Sequence, residues 1–237
     1  EPNSKGMDKK RNRIEEEKMI KLSEILLLDK LVYSETIPKK HQDLIDKLPD
    51  TMFAKFDLRQ LKSMPPPKNS SNQTLRELIS LDKIMMPVEQ INAADDIDEY
   101  FKGYFEKNHL KFPKDEVRRL VKDSRPLIQT LKYYYNRPRP AQVAKAMSLK
   151  FHNEPLTSAK TPSYPSGHSV QGMLVRKYLA TKFPQHANEI MGLADDISKS
   201  RLAANVHYPT DSIFGEKIAL ALYLYMRNTA SLGMEKI

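Results

Sequence analysis

No cysteine occurs in this 237-residue sequence. Disulfide bridges and thiolate metal sites are therefore excluded, and the redox compartment cannot be inferred from disulfide usage. Long apolar runs are missing as well. The best candidates, residues 25–28 and 218–226, fall far short of the roughly 20 apolar residues that span a bilayer, so no integral membrane segment is expected. Residues 1–18 are charged throughout, so no secretory signal is visible there. A soluble protein is expected, and its compartment stays open: cytoplasm, or periplasm if a leader has been removed.

Charge is what the chain has instead. Charged residues make up 29% and apolar residues 40%, a balance that supports both a core and solubility. The net charge of +9 is unevenly placed. Residues 111–145 carry ten Lys/Arg against Asp115, Glu116 and Asp123, a local excess of +7, whereas residues 1–31 are nearly neutral. A basic field of this kind concentrates anions and speeds their capture. No basic run is interleaved with a nucleic-acid-binding motif, so no nucleic-acid partner is expected.

Periodicity favours helix almost everywhere. Ile14, Ile20, Leu22, Ile25, Leu28 and Leu31 recur among charges and predict an amphipathic helix over residues 7–31. A short second piece covers residues 42–48, closed by Pro49. Pro65-Pro66-Pro67 followed by Lys68-Asn69-Ser70-Ser71-Asn72 reads as a linker or long loop. Thr74 with Glu77 three residues later has the pattern of a capping box opening the next helix. This places a catalytic domain at 74–237 behind a helical extension and linker at 1–73. The extension is expected to brace the domain; dimerisation or covering the active site are its alternative roles, so a homo-oligomer stays open.

Val117, Leu120, Val121, Leu127, Ile128 and Leu131 follow helical spacing across residues 114–135, with Pro126 predicting a kink or restart. Tyr133, Tyr134 and Tyr135 read as core with a share of pocket wall. Residues 151–164, with Pro155 and Pro162, read as a loop. Helices are expected from Ser166 or Gly167 towards Pro184, from Pro184 to Ala204, and from Pro209 onward, the last broadly apolar and buried. No strand pattern or repeat is present. The fold class is an all-α bundle.

Three separated segments carry chemistry. Lys132 is followed after six residues by Arg139-Pro140; Pro165-Ser166-Gly167-His168 comes next; then Ser200-Arg201, His207 and Asp211. Taken singly they read as a solvated basic helix, a turn and a helix-end pair. Together they suit phosphoryl transfer, which depends on positioning and on stabilising spread negative charge. Arg139 and Arg201 offer planar forks to phosphate oxygens, and Lys132 a point charge. Ser166 and Gly167, at a helix start, would direct backbone N–H groups at an anion. The Ser166 hydroxyl would add a donor, and Gly167 would permit close backbone approach. Asp211 is spaced to fix the tautomer of His207, leaving its second nitrogen free to attack.

The set closely resembles the tripartite signature of the type 2 phosphatidic acid phosphatase (PAP2) superfamily. That superfamily includes soluble class A non-specific acid phosphatases and vanadium-dependent haloperoxidases. The resemblance runs from Lys132 to Asp211 and implies an all-α bundle of that type. It also implies metal-independent hydrolysis of phosphate monoesters, with a phosphorylated small molecule as partner and no cofactor. His207 would form a phosphohistidine, and His168 would protonate the departing alkoxide and then activate water.

Two alternatives share these residues. One is a vanadate-dependent haloperoxidase, in which vanadate is prosthetic group rather than inhibitor and His207 its ligand. The other is a lipid phosphate or diphosphate phosphatase working at a membrane surface. His41, His109, His152 and His186 read as surface or loop residues, His152 alone being near enough in sequence to suggest a pocket wall. Asp95-Asp96 and Asp195-Asp196 read as solvated pairs rather than metal ligands.

Overall fold

The computed structural model describes residues 21, 23–154 and 156–233. Pro155 and most of the helix expected over 7–31 lie outside these residues. The described chain is helical, with no strand, and its elements run in the order α1 (23–30), α2 (Lys39–Ile45), α3 (Arg59–Lys62), α4 (Asn72–Leu81), α5 (Val88–Ala93), α6 (Ile97–Lys107), α7 (Lys114–Tyr135), α8 (Pro140–Ala146), α9 (Gly167–Lys182), α10 (Ala187–Ala203) and α11 (Pro209–Asn228).

Helix α9 is the axis of the bundle. It packs against α7, α10 and α11, and Val170, Met173, Leu174, Val175, Tyr178 and Leu179 are all buried along it. The close fit of α11 on the start of α9 depends on Gly215. A Cβ there would lie 2.9 Å from Ser169 Cβ and 3.1 Å from the Ser166 carbonyl, too near for any side chain. The main core also contains Phe53 and Leu61 beside Phe101, Phe105, Leu120 and Leu174. The core thus runs across residue 73, where the sequence places a boundary.

Several local expectations are corrected. Helix α4 is capped by Ser71, whose hydroxyl accepts from Thr74 N at 3.2 Å. Thr74 is inside the helix, its hydroxyl donating to Lys68 O at 2.8 Å, and Glu77 is buried. No capping box forms, because Glu77 is held by a distant partner instead. Helix α7 does not restart at Pro126; it continues to Tyr135 with the proline inside. Gln171 of α9 donates to Val121 O at 2.8 Å, one residue before the carbonyl that Pro126 leaves without its usual N–H.

The last helix is buried on one face only. Phe214, Ile218, Leu222 and Met226 enter the core, while Ile213, Leu220 and Leu224 are exposed. In α1, Ile25 is exposed too, with Leu26 and Leu27, whereas Leu28 and Leu31 pack towards Leu78, Val143 and Tyr208. Among the described residues, no helix is long and apolar enough to cross a membrane.

Candidate active site

Local chain geometry aims each motif at one place. Helix α7 ends at Asn136, which adopts φ 48° and returns its N–H to Lys132 O at 2.8 Å; asparagine tolerates this left-handed conformation. The following Arg137-Pro138-Arg139 is extended, and Pro140 opens α8. Ser166 caps α9, its Oγ accepting from Ser169 N at 3.3 Å. Ser166 N in turn donates to Asp211 O at 3.0 Å, tying the second motif to the third.

Six of the expected residues, Lys132, Arg139, Gly167, His168, Arg201 and His207, line one cavity of about 600 Å³. This volume falls in the range of small-ligand sites. Ser166 and Asp211 are fully buried behind it. Gly167 is not forced by crowding: a Cβ would meet Lys132 Cε at 3.7 Å and Ile128 at 3.5 Å, ordinary contacts. Its lack of a side chain keeps the space beside the lysine open.

His207 is buried and held at both nitrogens. Nδ1–H donates to Asp211 Oδ2 at 3.1 Å, and Nε2 accepts from Arg139 Nη1 at 3.0 Å. Burial first, and then the Arg139 charge, pushes its pKa well below the ordinary value. Burial would raise the Asp211 carboxyl, yet Arg137, His207 and Ser163 hold it well below the usual carboxylate range. It accepts from Arg137 at 2.6 Å, from Tyr208 N at 2.9 Å and from the Ser163 hydroxyl. The imidazole is therefore neutral, with its lone pair on Nε2.

The cations crowd one another. Arg139 also donates to Thr161 O at 2.8 Å and Val206 O at 2.7 Å, and Lys132 donates to Pro162 O at 2.6 Å. Burial and then the Arg139 charge drive the lysine pKa well below its usual value, and burial lowers Arg139 to about 10. Arg201 Nε is buried without a partner among the described residues. An oxyanion would answer all three cations, and the donor set fits one.

His168 has a carboxylate that sequence reasoning missed. Its Nε2 lies 3.1 Å from both the carbonyl and Oδ1 of Asp95. Asp95 also accepts from Arg201 at 2.7 Å and Ser158 at 2.7 Å. These bonds, the one from His168 foremost, hold its carboxyl well below the usual range against burial. Asp95 is thus a site residue rather than a solvated one. No local pattern marks it, since its partners are 73 and 106 residues away; the acidic pair before α6 was the sole signal. Burial, then Arg201, lowers the pKa of His168, whose Nδ1 has no hydrogen-bond partner among the described residues.

Asp96 also lines the cavity; the remaining candidates do not join it. Tyr133 meets His41 at 2.6 Å, Tyr134 is exposed, and Tyr135 packs on Tyr164 and Phe214. None of the three walls the pocket. The His152 side chain is 84% exposed, His186 bonds Tyr104, and Asp196 bonds Tyr100 and Gln90. Among the described residues, no cluster of three metal-ligating side chains occurs.

These side chains form a histidine-centred, cation-lined cavity in an all-α bundle. A family model of the PAP2 superfamily matches residues 124–231, somewhat under half of the chain. A solved bacterial vanadium-dependent iodoperoxidase shares the fold with a TM-score of 0.53 and 18% identity, over 73% of this chain and 53% of its own. The chain therefore spans about half the length of that relative. A transmembrane PAP2-type phosphatidylglycerolphosphate phosphatase from Bacillus subtilis aligns over 86% of this chain and 91% of its own at 15% identity, with a TM-score of 0.38. Curated proteins gave no match.

Proposed function

We propose that the chain hydrolyses phosphate monoesters through a phosphohistidine on His207. The observation that carries this reading is His207 held at Nδ1 by Asp211, with Nε2 at the cation-lined cavity. A bound phosphoryl group would take the donors of Arg139, Arg201 and Lys132 and the N–H groups at the start of α9. Arg139 would then release Nε2, which attacks phosphorus as the ester P–O bond breaks. His168 gives its proton to the leaving oxygen. In the second half, His168 takes a proton from water, which attacks phosphorus and breaks the P–N bond to release phosphate. Both steps use protein groups alone, so no cofactor or metal enters them.

The histidine environments imply an acid optimum. Attack needs neutral His207 and fails as pH falls through its pKa; leaving-group protonation needs charged His168 and fails as pH rises through its own. Both pKa values lie below the ordinary 6.5, so the bell of kcat/KM should peak on the acid side of that value. The test is rapid quench with a labelled activated phosphate ester, followed by alkaline denaturation that preserves phosphohistidine. Wild type should carry label and His207→Ala none, while His168→Ala should still be labelled, because a good leaving group departs unprotonated. Label on His207→Ala, or none on wild type under burst conditions, overturns the assignment.

The same donors fit vanadate, which would act as an inhibitor. Halide oxidation after vanadate loading, with no turnover of phosphate esters, would favour the haloperoxidase reading instead. Hydrolysis of lipid phosphates on vesicles in preference to soluble monoesters would favour action at a membrane surface.

A further inference from the structure

Behind Asp211 lie two further buried charges, Glu77 and Arg137, that the reaction as written does not use. Glu77 of α4 accepts from Thr210 N at 2.9 Å and from Thr210 Oγ1 at 3.0 Å, in the first turn of α11. Its Oε2 lies 3.4 Å from Arg137 Nη2. Arg137 Nη1 donates to Thr210 Oγ1 at 2.8 Å and to Asp211 Oδ1 at 2.6 Å. The guanidinium also stacks 3.8 Å from the centre of the Tyr208 ring. The side chains of Glu77, Arg137 and Asp211 are 9%, 1% and 0% exposed. Their order in space is anion, cation, anion, then His207.

Burying two carboxylates and a guanidinium costs solvation that hydrophobic residues of similar volume would not incur. The arrangement is therefore not the cheapest way to pack α4 on α11. What it does is divide the charge of Arg137. An arginine facing Asp211 alone could close a two-pronged pair and draw negative charge away from the imidazole. Glu77 holds the other prong and fixes the backbone next to Asp211, leaving Oδ2 for His207.

We propose that Glu77, acting through Arg137 and Thr210, is a positioning residue that keeps Asp211 oriented on His207 and sets how strongly Asp211 polarises it. The inference rests on His207 being the nucleophile. Glu77 lies outside the residues matched to the PAP2 superfamily, so one member of the device comes from a part of the chain that carries none of the motifs. Burial raises the Glu77 pKa, against Arg137 and Thr210 and with Asp211 adding to the rise. Acid should then remove the Glu77 charge before it removes that of Asp211, whose pKa is lowered.

Two substitutions should act with opposite sign. Glu77→Gln frees Arg137 for Asp211, so the His207 Nδ1–H proton resonance should move upfield and phosphoenzyme formation should slow about tenfold, the low end for residues acting through an imidazole's partner. Substrate KM should stay unchanged. Arg137→Gln unmasks Asp211, and the resonance should move downfield. A purely structural role would move both variants the same way or neither. The wild-type protein supplies the measurement without substitution. The groups facing Glu77 are Arg137 and Asp211, and those facing His207 are Arg139, Lys132 and Asp211. Of the two carboxylates, Glu77 loses its charge at higher pH than Asp211, and across that window the Nδ1–H resonance should shift upfield. A resonance flat across that window, or an unchanged phosphorylation rate in Glu77→Gln, overturns the inference. Absence of phosphoenzyme in wild type would instead defeat the assignment of His207.

Discussion

Replacing Asp211 by asparagine tests the site at its most connected atom pair. Four donors converge on this carboxylate: Arg137 on Oδ1, and His207 Nδ1, Tyr208 N and the Ser163 hydroxyl on Oδ2. An amide has one acceptor oxygen. Placed where Oδ2 was, that oxygen leaves the NH2 group facing Arg137 Nη1, donor against donor. Flipped, it faces the NH2 to Tyr208 N and forces His207 into the other tautomer. The arginine keeps Glu77 at 3.4 Å, so the loss of stability should be about 3 kcal/mol, the low end for breaking a buried pair. Phosphorylation should slow by roughly 10³–10⁴, as expected when an imidazole loses its orienting anion and adopts the wrong tautomer. The two effects separate by assay: urea unfolding reads the first, and rapid-quench labelling of the folded protein reads the second. Stability should also change with pH. Because the folded pKa of Asp211 lies below its unfolded value, its contribution is complete above about pH 4 and is lost as pH falls below that. The asparagine variant should lack that slope. A folded Asp211→Asn protein that labels within tenfold of wild type would refute the reasoning.

Other outcomes follow from the same geometry. Asp95→Asn removes the partner shared by His168 and Arg201; kcat should fall about a hundredfold with poor leaving groups and much less with activated esters, as measured across a series of aryl phosphates. Lys132→Met removes a buried cation whose ionised form is disfavoured in the folded state. It should raise Tm by about 2–4 °C per kcal/mol regained, yet abolish the rise in Tm expected when wild type binds phosphate; a drop in Tm would show that the bond to Pro162 O matters more. Raising ionic strength should lower kcat/KM with little change in kcat, because screening weakens capture by the basic residues of 111–145; a flat salt dependence would remove them from substrate steering.

The sequence made the cation-lined half of this site legible because its residues occur in three short patterns whose spacing survives folding. His207 and Asp211 meet across the first turn of α11, where a four-residue separation brings side chains together. The residues it concealed act over long distances. Asp95 looks like half of a solvated acidic pair until α6 and α10 pack, and Glu77 looks like part of a helix cap until α11 brings Thr210 to it. Helices were legible from periodicity, but their faces were less so. Ile213, Leu220 and Leu224 are as apolar as the buried Ile218 and Leu222, and only the direction of packing against α9 separates them. Gly215 was silent for the same reason, since its role depends on a neighbour absent from its own segment.

The path of Asp95 has a consequence for how such a protein can be divided. A piece starting at residue 124 would hold every motif residue and still lack the partner of His168, the anchor of Arg137 and the aromatic side chains of Phe53, Phe101 and Phe105. The stretch that marks kinship is thus smaller than the stretch able to work. Exchange of that stretch between distant relatives should yield chains that keep the signature but not the activity, unless the helices that supply Asp95 and Glu77 travel with it.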